Sequence, residues 1–457
     1  RDGSLPWRLA AIAAELDAPI GLRSLHRLAD ELGGPSDPWP PATTEALLRL
    51  LRCGRRAIAP FESLDQVGVV VRLLPEWAQV RHYHQRNAYH RFTVDRHLLE
   101  TCANAAGLSG EVDDVDLLLL AALFHDLGKG DATRDHTELG IELARRLGPR
   151  LGLDERRTDQ LCRLVEYHLL LADTATRRDL SDPTTIETVA RAVGDVSTLR
   201  LLAALTKADS LATGSSAWGP WKEQLVTQLV VATTVHLGGS DEPPSPADVP
   251  GAVRDHVELL DRVTREHRAE LIVTPPKVIV AAPDRQGLLA DVAGTLALFG
   301  LSILSADVTS SGAVALDTFV VEPSAAGWPA PEALTTTLHQ VLSLELDLES
   351  ALDARARTYA SAQRRWSARP LRSSVEVDNA GSSEATIFEI RSPDRIGLLY
   401  RLTASLAAQG LDVSAARVAT IGGDVVDAFY VTSEGSKLAP GPRLDAVVAA
   451  LEAVLNS

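Results

Sequence analysis

The stretch Val115-Asp116-Leu117-Leu118-Leu119-Leu120-Ala121-Ala122-Leu123-Phe124, followed at once by His125-Asp126-Leu127-Gly128-Lys129-Gly130, decides how the first half of the chain is read. A run apolar at every position but one predicts a helix buried on most of its sides. Ending it in a histidine and an aspartate costs on the order of several kcal/mol in desolvation unless both are paired or hold a metal.

Other segments repeat the oddity. His168 follows Leu161 and Leu164 by seven and four residues, so the periodicity places it on an apolar helix face, and Asp209 follows Leu202 and Leu205 in the same way. His97 lies beside the stripe Val94, Leu98, Cys102, with His90 seven residues before it, and His136 precedes a helix starting near Thr137. Alone, each histidine reads as a hydrogen-bonded core residue, Asp209 as a salt-bridge partner and Lys129 as a solvated loop charge. Together, four imidazoles and two carboxylates form a nitrogen and oxygen donor set suited to Mn, Mg, Fe or Zn. Without thiolates it is not the set of a purely structural zinc site.

The 457 residues, 45% of them apolar, suffice for about three domains. A net charge of −16 disfavours a nucleic-acid binder driven by bulk positive charge. No apolar run approaches the length of a membrane span, so no membrane association is expected. Cys53, Cys102 and Cys162 form no CxxC pair, which reads as a reducing, cytoplasmic setting. The chain opens Arg1-Asp2-Gly3 and contains no methionine, as expected either of an internal or engineered fragment or of a sequence from which modified methionines are missing. Its only lysines are Lys129, Lys207, Lys222, Lys277 and Lys437, so Lys129 beside the histidine cluster invites a functional reading.

Residues 1–81 read as helices broken at Gly33-Gly34-Pro35, and 82–237 as helical throughout. A Gly/Pro/Ser linker from Gly238 to Pro246 and a helix over Ala252 to Glu270 fill 238–274. From Pro275 the pattern becomes mixed and repeats. Asp284-Arg285-Gln286-Gly287-Leu288-Leu289 returns 110 residues later as Asp394-Arg395-Ile396-Gly397-Leu398-Leu399. The units Asp317-Thr318-Phe319-Val320 and Asp427-Ala428-Phe429-Tyr430 keep that offset, so a β-α-β-β-α-type module is duplicated over 275–346 and 372–457. Residues 347–371, with Arg364 to Arg372, read as the linker between the copies, and Ser374 to Val377 as a replacement for a fourth strand missing after the last helix. In each copy the glycine opens a helix, where free N–H groups favour a carboxylate ligand.

The ordered set His97, His125-Asp126, His136, His168, Asp209 resembles the HD-domain metal phosphohydrolases. That resemblance implies a first metal held by His97, His125, Asp126 and Asp209, and a second completed by His136 and His168 with Asp126 as bridge. It implies one or two divalent ions, Mn or Mg foremost and Fe or Zn as alternatives, in phosphate-ester hydrolysis. There Lys129 and Asp126 act as catalytic groups, the lysine neutralising charge on phosphate. The repeats resemble the ACT domain, a ferredoxin-like amino-acid-binding module, with Asp284, Arg285, Gly287, Leu288, Asp394, Arg395, Gly397 and Leu398 as ligand-binding residues.

The expected fold is thus an all-α HD-type domain followed by two α+β ferredoxin-like ACT domains. From about Leu47 onward, including Gln85 to Asp95 and Leu205-Thr206-Lys207-Ala208-Asp209, this resembles the C-terminal part of the bifunctional PII uridylyltransferase/uridylyl-removing enzymes. The resemblance implies removal of UMP or AMP from a tyrosine of the nitrogen-signalling protein PII, favoured by glutamine. The transferase motif of Gly-Ser with following aspartates is not found, so the chain as given is expected to lack the transfer reaction. Two rivals stand beside this reading: a guanosine tetraphosphate hydrolase-like HD/ACT enzyme, and a non-catalytic amino-acid-sensing module.

Overall fold

The structure, a computed structural model, describes residues 3–34, 36–84, 92–131, 133–180, 182–214, 217–238, 256–311, 313–324, 327–363, 373–421 and 424–456. The predicted features at Gln85 to Arg91 (His90 among them), Arg364 to Arg372 and most of the Gly238 to Pro246 linker lie outside the described residues. The chain forms two compact units. One comprises Arg1–Asp173 and Ile186–Asp241, the other Thr174–Thr185 and Glu242–Ser457.

The first unit is helical. Its centre is α7 (Val115–Phe124), whose residues from Leu117 to Phe124 are all buried. Asp114 caps it, its carboxylate accepting from the Leu117 N–H. Around it pack α6 (Val94–Gly107), α9 (Glu155–Glu166) and α12 (Val196–Thr213), the last two capped by Asp154 and Asp195. The early helices α1 (Leu5–Glu15), α3 (Pro41–Leu51) and α4 (Ile58–Gln66) join the same unit, with α3 against both α6 and α7. The helices read over 1–81 belong to this unit, their core carried by Trp7, Phe61 and Trp77.

The second unit holds two four-stranded antiparallel sheets of order β1-β2-β4-β3 and β5-β6-β8-β7. The first uses β1 (Glu270–Thr274), β2 (Lys277–Pro283), β3 (Leu301–Ser311) and β4 (Val314–Pro323). The second uses β5 (Ser374–Asp378), β6 (Thr386–Pro393), β7 (Asp412–Ile421) and β8 (Asp424–Thr432). The 110-residue offset extends to register: both copies carry an irregularity, at Ile303/Ser305 and Val413/Ala415. Helices Leu288–Leu298 and Leu398–Ala408 follow glycines in left-handed backbone, Gly287 at φ 84° and Gly397 at φ 76°, which side chains with a Cβ rarely adopt. The inner faces of both sheets and these helices share one apolar core.

Three expectations are corrected. The helix foreseen over Ala252 to Glu270 is described as Val257–Glu266 and gives way to strand β1, which pairs with β2 because Leu271 and Val273 join the apolar core. The linker over 347–371 contains a helix, Leu348–Gln363, because Leu348 and Leu352 are buried against Ala297, Ile396 and Tyr400. Helix α9 ends at Glu166, so His168 lies in the turn after it rather than on its face.

The outer face of the first sheet is covered by Val257–Glu266 through Leu259, Leu260 and Val263. The second carries the apolar group Ala385, Ile387, Ala415, Ala428 and Tyr430 on its outer face. There the Thr174–Thr185 segment bonds to Tyr430, Arg417 and Glu389. Among the described residues no helix is long and apolar enough to cross a membrane.

Candidate metal centre

Four elements deliver the cluster. His97 comes from the first turns of α6, His125 and Asp126 from the end of α7, His168 from the turn after α9, and Asp209 from α12. His97, His125, Asp126 and His168 are at most 3% exposed.

His97 Nε2 lies 2.9 Å from Asp209 Oδ1, and His125 Nε2 lies 3.7 Å from the same oxygen. The two oxygens of Asp126 face different neighbours. Oδ2 faces His125 Nε2 at 3.5 Å, His97 Nε2 at 3.8 Å and Lys129 Nζ at 2.5 Å, whereas Oδ1 faces His168 Nε2 at 3.6 Å. His125 Nδ1 donates to the Ala122 carbonyl at 3.1 Å and His168 Nδ1 to that of Val165 at 2.7 Å. Those bonds aim both Nε2 lone pairs into the cluster, as second contacts of ligating histidines do.

The donor set fits a divalent cation. Ligand atoms of His97, His125 and Asp209 lie within 4.8 Å of one another. His125 Nε2 and Asp126 Oδ1 are buried without a hydrogen-bond partner, a cost a bound ion removes. Burial pushes the Asp126 carboxyl up, but His125, Lys129 and the other histidines outweigh it and hold it below the usual range. Asp209 is likewise held low against its burial by His125 and His97. Burial lowers His168, keeping its imidazole neutral and able to ligate.

His136 stands apart. It is exposed at the first position of α8 (His136–Arg150), and the ion pairs joining the other residues do not include it among the described residues. Its backbone, however, is pressed on the cluster's turn: a Cβ on Gly128 would lie 1.9 Å from the His136 carbonyl oxygen. Lys129 is partly exposed, its ammonium on Asp126.

One supporting residue escaped the sequence reading. Asn104 donates from Nδ2 to the carbonyl of Ala208 at 3.0 Å, tying α6 to α12 beside Asp209. Its spacing seven residues after His97 was the available signal, but a polar residue at that spacing is common on solvated faces.

The repeat residues line two cavities in the second unit. Asp284, Arg285, Gly287 and Leu288 border one of about 320 Å³. Asp394, Arg395, Gly397 and Leu398 border one of about 620 Å³.

Residues 94–214 match the HD domain family. Over its whole length the chain is 38% identical to a bifunctional uridylyltransferase/uridylyl-removing enzyme of Streptomyces coelicolor, covering 60% of that protein. Proteins of the same name from Mycobacterium tuberculosis and Caulobacter vibrioides are 37% and 32% identical over 94% and 91% of this chain. The chain spans 54% and 51% of those two relatives' length.

Proposed function

We propose, from the premise that this chain carries an HD domain and is homologous to bifunctional uridylyltransferase/uridylyl-removing enzymes, that it performs the removing reaction. The reaction is metal-dependent hydrolysis of a nucleotidyl-tyrosine phosphodiester on PII, releasing UMP or AMP. The observation that carries it is the convergence of His97, His125, Asp126, His168 and Asp209 from four segments, with His125 Nε2 left without a hydrogen bond.

His97, His125, Asp126 and Asp209 would hold a divalent ion, Mn or Mg foremost. His168 and His136 would hold a second, and the placement of His168 on the other Asp126 oxygen supports Asp126 as the bridge. When bound, such ions would supply Lewis acidity at the phosphoryl oxygens and a nucleophilic water at neutral pH. The carbonyls of Ala122 and Val165 keep His125 and His168 oriented before substrate arrives. Lys129, partly exposed beside Asp126, offers positive charge to the phosphoryl group and the leaving phenolate.

The two antiparallel modules are read as ferredoxin-like ACT domains that bind glutamine and favour removal. Their shared core and matched glycine turns support this reading. Three free cysteines accord with a reducing, cytoplasmic setting.

The test is release of nucleotide from nucleotidylated PII in the presence of Mn. The intact chain should remove it, and His125→Ala should reduce the rate by orders of magnitude. Persistence of the modification with the intact, metal-loaded chain would overturn the reading.

A further inference from the structure

The two cavities of the second unit are built from equivalent positions, yet their charges differ. Each combines the glycine turn of one module, an aspartate on its central strand, and the start of the neighbouring module's third strand. Asp427 and Asp317 occupy the same register, opposite Ile390 and Val280, and each is 1% exposed. In the larger cavity the third-strand position is Ser302; in the smaller it is Asp412.

The helix Leu348–Gln363 adds a second difference. Arg355 projects from it into the lining of the larger cavity, crowding Gly300 so closely that a Cβ there would lie 2.2 Å from Arg355 Nη2. Arg395 also lines that cavity. It donates to the Val454 carbonyl, while its Nε is buried without a hydrogen-bond partner. Arg285, its counterpart, is ion-paired to Asp291. The larger cavity thus sets two guanidiniums against two carboxylates, and the smaller sets one guanidinium against three.

Resting on the amino-acid-sensing reading of this unit, we propose that only the larger cavity accepts a zwitterionic amino acid, with Arg355 as the residue that makes it selective. The ligand's α-carboxylate lies towards Arg395, Arg355 and the Gly397 turn, and its ammonium towards Asp427. Guanidinium pairs with carboxylate in a fork that lysine cannot reproduce. In the smaller cavity Asp284, Asp317 and Asp412 repel an α-carboxylate.

Isothermal titration of glutamine into the full chain tests this. One site per chain is expected. Arg355→Gln, on a partly exposed helix position, and Asp427→Asn should each weaken binding by about tenfold or more, while Asp317→Asn leaves it unchanged. Two equal sites, or loss with Asp317→Asn and retention with Arg355→Gln, would overturn the assignment while leaving amino-acid sensing intact. Absence of binding by any amino acid would overturn the sensing reading and this inference with it.

Discussion

The phenol of Tyr430 accepts a 2.6 Å hydrogen bond from the backbone N–H of Asp179, a residue far earlier in the chain that belongs to the same compact unit. Around it, Arg178 pairs with Glu389 at 2.6 Å and Asp378 at 3.1 Å, and Arg417 Nε donates to the Arg178 carbonyl. The segment Thr174–Thr185 is thereby fastened to all four strands of the second sheet.

Tyr430→Phe should lower stability by about 1 kcal/mol, seen as a lower melting temperature, because the Asp179 N–H loses its acceptor. Burial pushes the phenol up to about 12. A raised acid group destabilises the fold as pH climbs past its ordinary value of 10. An alkaline difference spectrum should therefore show a tyrosine titrating near 12 that is missing in the variant.

Gly128→Ala should loosen the turn that carries Asp126. The new methyl would meet the His136 carbonyl at 1.9 Å and the Gly140 nitrogen at 2.8 Å, both fixed backbone of α8. Thermal melting should fall by the equivalent of about 1–3 kcal/mol, with weaker metal retention.

Metal should stabilise the helical unit by mass action. Mn at about 100 times its Kd should add about 2.7 kcal/mol, read as a rise in melting temperature that chelator reverses. His125→Ala should abolish most of that rise.

Lys129→Ala should slow hydrolysis by about 10²-fold or more through kcat, with a smaller change in KM, because the ammonium acts on charge that grows along the reaction. An unchanged kcat would assign Lys129 to holding Asp126 only.

Glu76 adds acid sensitivity where the early part of the chain meets α8. It is 7% exposed and accepts from Arg146 at 2.8 Å and Arg150 at 2.9 Å. Burial pushes its carboxyl up, but a backbone N–H and the two arginines outweigh that and hold it below the ordinary 4.5. Its contribution is present above pH 4.5 and is lost as pH falls through the folded value. Glu76→Gln should therefore melt lower than the parent at pH 7, by the equivalent of about 2 kcal/mol, and the gap should narrow below pH 4.

Local pattern reached far into this molecule. Leu117 to Phe124 announce a buried helix because nothing else buries so unbroken an apolar run, and His125-Asp126 at its end are conspicuous for what they cost there. The duplicated module was equally legible, since an offset of 110 residues preserves both the glycine turns and the strands. Strand β1 was missed because Glu270–Thr274 is short and only partly buried, so its alternation is faint.

The amino-acid sequence by itself determined the helical periodicity, the buried histidines and aspartates, and the repeat, because all of these depend on near neighbours along the chain. Only the tertiary structure decided which side chains meet. It brought His97 to Asp209, gave the two oxygens of Asp126 to different histidines, left His136 exposed and carried Arg355 into one cavity alone. Those outcomes depend on how helices and sheets distant in sequence pack, and packing is set by the whole core at once rather than by any stretch of it.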